Sequence, residues 1–265
     1  VEIIEQPEQW RRQYDGWQAK QADDLKGYPW VENSRAPFTP ARRAITMMNL
    51  ALVTSAGAYL DGTDPFDTNA PDGDFNVREV PSEIDLRDLR FAARGYDASS
   101  VQLDANVQLP LDRLREFVLN RIIGQLAPAF WSFCGFIPDA AQFAERTIPQ
   151  LLERLSRYEV QAALLIPASR LCHQSVALAA RAIEETGIPT MMLGVDREVL
   201  EGARPPRAAY HDGKLGSITG EPNWPQFQRR VLDEALRLIE PMGQPGIRKL
   251  SVDLETKVQI ARGER

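Results

Sequence analysis

The 265-residue chain is predicted to be an α/β protein of three-layer, parallel-sheet, Rossmann-like architecture, with room for two pseudo-similar halves and a site between them. Three observations predict it. Short apolar runs at 50–54, 160–167 and 190–195 have the length of buried strands. The segments between them repeat apolar residues at three- and four-residue steps. The order helix, strand, helix, strand over residues 144–195 is that of a parallel βαβ arrangement, for which a right-handed crossover is expected. A chain of this length also buries a core that folds without disulfides.

Residues 5–26 carry Trp10, Tyr14, Trp17 and Ala22 among many charges, a helical pattern with a thin apolar stripe that Gly27 and Pro29 end. This reads as an arm or partner-binding helix, the surface through which a homo-oligomer would form. From Tyr28 to Pro40, Pro29, Pro37 and Pro40 and the lack of periodicity predict an extended link. Leu50-Ala51-Leu52-Val53-Thr54 is the first buried strand, ended by Ser55-Ala56-Gly57. The stretch from Asp61 to Asp74 gathers five aspartates with glycines and prolines. Its spacing does not fit an EF-hand, so it reads as a solvated loop.

Leu111, Leu114, Val118 and Ile122 mark one amphipathic helix, and Ala144, Ile148, Leu151, Leu155 and Tyr158 another. Between them, 122–136 reads as a strand and a turn. The strand over 160–167 leads into a helix from about Arg170 to Thr186, then Gly187-Ile188-Pro189 and the strand Thr190 to Val195. A last helix carries Trp224, Phe227, Val231, Ala235 and Leu238 on one face. The expected organisation is an N-terminal helix and arm over 1–40, an α/β domain over 41–240 with halves of about 41–158 and 159–240, and a C-terminal tail over 241–265.

Composition narrows the function. A net charge of −6 from 31 basic and 37 acidic residues, well mixed, gives no electrostatic footprint for nucleic acid. No apolar run approaches the roughly 18 residues of a membrane span, and the first 30 residues lack an apolar signal segment. Two cysteines, Cys134 and Cys172, fit a reducing compartment, so a cytoplasmic location is expected. No glycine-rich phosphate loop and no zinc-spaced Cys/His set is present, and no cofactor is expected.

The chemistry concentrates in Pro167-Ala168-Ser169-Arg170-Leu171-Cys172-His173, between a strand's carboxyl end and a helix. Ligands of open α/β sheets bind at such turns. With Ser169 as N-cap, Cys172 is the third helical residue, where the positive end of the helix dipole favours thiolate over thiol. Arg170 adds a cation, and His173 is a candidate proton partner if its ring turns toward the same cleft. Cys172 is equally well read as a small packed residue, and Ser175, a candidate substrate ligand with Arg170, equally as a helix serine bonded to its own backbone. Cys134, among Phe130, Trp131, Phe133 and Phe136, reads first as a packed thiol. Were it to reach the same cleft, two thiols would face one substrate.

At this turn the sequence resembles the selenoprotein B family of glycine, sarcosine, betaine and D-proline reductases, in particular its short stand-alone members. The resemblance spans most of 37–240. It rests on Ala51-Leu52-Val53-Thr54-Ser55-Ala56-Gly57, Pro65-Phe66-Asp67 with Gly73-Asp74, Arg78-Glu79-Val80-Pro81, Asp104-Ala105-Asn106 with Pro110-Leu111-Asp112-Arg113-Leu114, Ile123-Gly124, Gly187-Ile188-Pro189-Thr190, Gly220-Glu221-Pro222 and Gln228-Arg229-Arg230-Val231-Leu232.

The resemblance implies a selenocysteine or cysteine at the strand's end and a second cysteine three residues later. The first would attack a carbon bearing an activated amino group and hold it as a selenoether or thioether. Here those positions are Ser169 and Cys172, and the proline usual after the first is Arg170. A serine hydroxyl is too weakly acidic to replace a selenolate without a strong base, so altered chemistry through Cys172 is expected. The resemblance also suggests Asp104, Asn106, Asp112 and Arg113 as a polar wall opposite the turn. The bland account is that Asn106 and Asp112 cap the following helix. Thr54 and Ser55 are candidate donors to a substrate carboxylate or carbonyl. Around Phe91-Ala92-Ala93-Arg94-Gly95-Tyr96-Asp97 the family usually has a histidine before the Tyr-Asp pair, and this chain has none.

Three functions follow. The leading one is a thiol-dependent, oxidoreductase-like enzyme acting through Cys172 on a small amino-acid-like substrate, served by a thiol reductant or a partner protein. The others are a cofactor-independent racemase, isomerase or lyase pairing Cys172 with Cys134 or His173, and a non-catalytic binding or scaffold protein.

Overall fold

The computed structural model describes residues 2–20, 25–252, 258–259 and 261–263. In chain order its elements are α1 (Pro7–Gln18), β1 (Asn49–Thr54), β2 (Ala58–Leu60), β3 (Val77–Pro81), β4 (Leu89–Phe91), α2 (Ser99–Leu103), α3 (Leu111–Leu119), β5 (Gln125–Leu126), β6 (Ala129–Phe133), α4 (Ala140–Gln142), α5 (Ile148–Leu155), β7 (Ala162–Ile166), α6 (Arg170–Glu185), β8 (Thr190–Gly194), α7 (Arg197–Ala203), β9 (Arg207–Tyr210), α8 (Pro225–Arg237) and β10 (Gly246–Lys249).

An eight-stranded sheet runs β10-β9-β8-β7-β1-β6-β3, with β5 also paired to β1. Its pairings are parallel except at the edge, where β3 lies antiparallel to β6. Residue alternation divides the core in two. Ala51 and Val53 of β1, with Ala163 and Leu165 of β7, face the layer of α5, α6 and the N-terminal arm. Leu50 and Leu52, with Ala162, Leu164 and Ile166, face α3 and α8. Both faces of these strands are covered, which is why they read as continuous apolar runs. The fold is therefore the mixed α/β, three-layer arrangement that the sequence predicts.

Strands from before residue 158 lie on one side of the β1–β7 junction and those from after it on the other. The sequential order reverses at that junction, so the loops leaving the carboxyl ends of β1 and β7 diverge and leave a crevice. Thr54 pairs with Ile166 in register. The two segments singled out in the sequence, Thr54-Ser55 and Pro167–His173, therefore leave the sheet side by side.

The N-terminal segment differs from its expected role. The helix covers Pro7–Gln18 rather than 5–26, and Ala22 lies outside the described residues. Its aromatic stripe packs on its own chain: Trp10 and Tyr14 are buried and stacked on each other, with Tyr14 edge-on to Tyr28. The Trp10 indole donates to Pro29 O at 2.6 Å. The buried Arg181 of α6 draws the arm onto the helix by donating to the carbonyls of Glu2, Ile3 and Arg35. The 61–74 loop is irregular as expected. Asp67 and Asp74 serve as local turn acceptors there, Asp74 taking the Asp67 N–H at 2.8 Å. Among the described residues, no helix is long and apolar enough to cross a membrane.

Candidate functional site

The site is built at the carboxyl edge of β1 and β7. Ser169 has extended backbone (φ −113, ψ 176) and caps α6, its Oγ accepting the Cys172 N–H at 3.1 Å. A polar cap, an alanine-rich helix body and Gly187 at φ +91 beyond the last turn explain why α6 starts and stops where it does. The cap fixes the first turn, so Cys172 points back toward the crevice.

Cys172 is a free thiol, 1% exposed. Its Sγ lies 3.9 Å from Ser55 O, among Ala56, Ala168, Phe91 and Tyr96. Gly135 faces it from the next loop: a Cβ built there would stand 3.1 Å from Cys172 Sγ and 2.5 Å from the Ser55 Cβ. Only glycine lets the backbone approach the thiol this closely. Ser55 secures the junction, its Oγ accepting the Ala168 N–H at 3.0 Å and its carbonyl accepting the Gly135 N–H at 3.1 Å.

Cys134 lies beside Gly135, bridged to Ala56 and with Sγ 3.6 Å from Ala92 O. Burial, and then the nearby Cys172, push its thiol up to about 12. Burial first, and then the two nearby thiols, push up the pKa of the Tyr96 phenol, whose hydroxyl donates to Ala56 O at 2.8 Å. The structure thus brings Cys134 to the Cys172 side of the sheet edge.

His173 points elsewhere. Val195 N–H and Asp196 N–H donate to its Nε2 at 3.0 and 3.3 Å, leaving the proton on Nδ1, which donates to Ser169 O at 2.7 Å. Adjacent helical residues diverge by roughly 100°, and His173 ends against Gly194 of β8. Complete burial pushes its pKa down to about 4. The neutral ring is a clasp between the β7 and β8 turns, with both nitrogens committed to backbone.

The other predicted residues divide into two groups. Thr54 donates to Gln108 O at 3.0 Å, and Ser175 to Gly135 O at 2.8 Å, so both support the crevice floor. Arg170 leans away over the Trp30 ring and pairs with Asp196 and Glu198. Asp104 and Asn106 line a cleft of about 830 Å³ with Asp112, Arg115 and Phe91. Asn106 accepts the Asp112 N–H at 3.1 Å and donates to the Asp104 and Asp112 carboxylates, so it serves the first turn of α3 from outside the helix, whereas Asp112 lies within the helix, whose N-cap is Pro110. Burial raises the Asp104 carboxyl, but hydrogen bonds from Gln228, Asn223 and Asn106 outweigh it and leave its pKa lowered. Arg113 pairs with Glu116 on α3 at 2.9 Å and is not among the cleft's lining residues.

Sequence reasoning gave no role to Tyr96, Gly135 or Gln108. The glycine following Cys134 was a signal for close backbone approach. Gln108 gave none: it is buried, and neither end of its side-chain amide meets a partner among the described residues.

Comparison with known proteins decides the family. The glycine/sarcosine/betaine reductase selenoprotein B family model matches residues 23–168. The chain belongs to that family. The match ends one residue before Ser169. D-proline reductase subunit gamma of Acetoanaerobium sticklandii is 32% identical over 209 residues, 79% of this chain and 85% of that protein. Glycine reductase complex component B subunit gamma of Symbiobacterium thermophilum is 27% identical over 62% of this chain, and sarcosine reductase complex component B subunit beta of Peptoclostridium acidaminophilum 28% over 63%. Each of those two matches spans 38% of the relative's length. No solved structure gives a significant match.

Proposed function

We propose that the chain is a reductase-family enzyme in which Cys172 is the reacting atom, acting on a small amino-acid-like substrate. The observation that carries this is the placement of Cys172: a free thiol in the first turn of a capped helix, at the sheet's order reversal, in a chain of the selenoprotein B family. Ser169, where the family resemblance places the leading nucleophile, uses its oxygen to cap the helix. The Cys172 thiolate would form a carbon–sulfur bond as the carbon–nitrogen bond breaks, the nitrogen taking the electron pair and leaving as amine, or staying tethered through the opened ring in D-proline, and the carbon remaining as a thioether. Completing a cycle then requires an external thiol reductant or a partner protein. The latter agrees with relatives named as subunits of reductase complexes.

The test is adduct mapping. The chain is incubated with glycine, sarcosine, betaine or D-proline, without reductant, and its peptides are weighed. A substrate-derived mass on the Cys172 peptide is the expected result. Adducts on Cys134 alone, or none with the whole set, would reject the reading.

A second reading is favoured by one specific feature, the convergence of Cys134 and Cys172 near the Tyr96 phenol. In it the two thiols act as paired acid and base in a racemase, isomerase or lyase. Exchange of the substrate α-hydrogen with deuterated water, abolished by Cys134→Ala as well as Cys172→Ala, would establish it. His173 is the poorer partner because both its nitrogens are held by backbone. For a scaffold reading, the aromatic stripe of α1 is already covered by its own chain.

A further inference from the structure

Cys172 is sealed, yet an open cleft lies one side chain away. Phe91 both lines the cleft of about 830 Å³ and packs on the Cys172 cluster. Tyr96 is the other aromatic on that cluster. Both belong to one stretch of chain, β4 and the segment after it.

That segment is short and tied at its ends. Ala92 N–H donates to Gly57 O at 2.9 Å, and the Asp97 carboxylate accepts the Ser99 N–H at the start of α2. Between these ties, among the described residues, the backbone of 93–97 makes no hydrogen bond to other backbone. Two side chains hold it. Tyr96 reaches inward to Ala56 O at 2.8 Å. Arg94 reaches outward, donating to Ala70 O at 2.6 Å and Pro71 O at 3.3 Å and lying over the Phe136 ring.

Gly95 between them has φ +76, and a Cβ there would stand 2.0 Å from the Phe136 ring, so the turn needs glycine. A second loop also packs on this segment. Gly216 N–H donates to Ala168 O at 2.8 Å, and a Cβ on Gly216 would stand 2.6 Å from Asp97 O and 3.1 Å from the Tyr96 ring.

We propose that residues 92–97 form a gate between the cleft and Cys172, latched inward by the Tyr96 hydroxyl on Ala56 O and outward by Arg94 on residues 70–71. The proposal rests on the reading of Cys172 as the reacting group for its purpose, but not for its test. Opening releases side-chain latches only and leaves the sheet intact, so it is a local rather than a global event. It joins the thiol to the cleft lined by Asp104 and Asn106. The buried Tyr96 phenol, its pKa pushed upward by desolvation and by the two thiols, keeps its proton and so remains a donor to Ala56 O.

The experiment measures the iodoacetamide alkylation rate at Cys172 in the folded 265-residue chain, by peptide mass spectrometry, with urea unfolding curves in parallel. Tyr96→Phe removes one hydrogen bond and keeps the ring, so alkylation should rise about three- to tenfold, the worth of one such bond. Arg94→Ala should give a similar rise without touching the thiol's surroundings, and carries the test if Tyr96→Phe fails to fold. Arg157→Ala, which loses only its surface pair with Glu153, should change nothing. Rates within twofold of wild type in both gate variants would overturn the gate. So would an acceleration no larger than the change in the global unfolding constant. Loss of activity in Cys172→Ala speaks to the chemistry alone, so the two ideas fail separately.

Discussion

Acidification should loosen the candidate site through His173, and the size of the effect follows from its burial. The folded-state pKa is depressed from 6.5 to about 4, so between these values the unfolded chain takes up a proton that the folded one refuses. Stability is fully present above pH 6.5 and is lost as pH falls toward 4. Each pH unit well inside that window costs about 1.4 kcal/mol. Between pH 7 and pH 5 the loss should be about 2 kcal/mol, mostly above the range in which ordinary carboxylates titrate. The assay is urea unfolding followed by tryptophan fluorescence at pH 7, 6 and 5, for wild type and His173→Gln. Glutamine can still accept from Val195 N–H and does not titrate. The wild type should lose stability over this range, and the variant should lose about 2 kcal/mol less. Parallel pH dependence of the two proteins would refute the clasp, as would an imidazole resonance of His173 titrating near 6.5.

Three further outcomes test the surrounding structure. Ser169→Ala removes the cap of α6 and should cost about 1 kcal/mol, a fall in Tm of about 2–4 °C by calorimetry; an unchanged Tm would mean the cap does not hold the turn. Gly135→Ala drives a methyl group into Ser55 and Cys172 and should cost about 1–3 kcal/mol in denaturant unfolding, whereas free accommodation would contradict the close approach. Glu184 of α6 and Arg207 of β9 form a fully buried ion pair, with Glu184 also accepting from Thr39 and Thr190. Arg207→Ala strands that carboxylate and should cost about 3–5 kcal/mol, while Glu184→Leu combined with Arg207→Met should cost clearly less. Equal losses in the single and double variants would show that the charge is not the cause.

The parts of the fold that follow from local pattern were legible in the sequence. β1, β7, β8 and α6 appear within two residues of their predicted limits, and α8 carries the apolar face read for the last helix, because apolar period and caps are local signals. β9 escaped notice because it carries Arg207, a charge that makes sense only beside Glu184, 23 residues earlier. β10, with exposed Arg248 and Lys249 on the sheet's edge, looked like a polar tail. β2 and β4 are three residues each, too short for any period to show.

At the site, the Ser169 cap and the Cys172 position could be read from spacing. The direction of His173 could not, since it is set by the N–H groups of Val195 and Asp196 on another strand's turn. Nor could the cover over the thiol, which depends on Tyr96 meeting a carbonyl 40 residues away.

The most direct test of the account is release, from the same amino-acid set by the intact chain under a dithiol reductant, of free amine or, for D-proline, whose nitrogen stays on the product, of the ring-opened amino acid, compared with Cys172→Ala at matched circular dichroism. The account predicts release by the wild type and its loss in Cys172→Ala. Release that survives the loss of Cys172, or its absence from the wild type across the whole set, would contradict it.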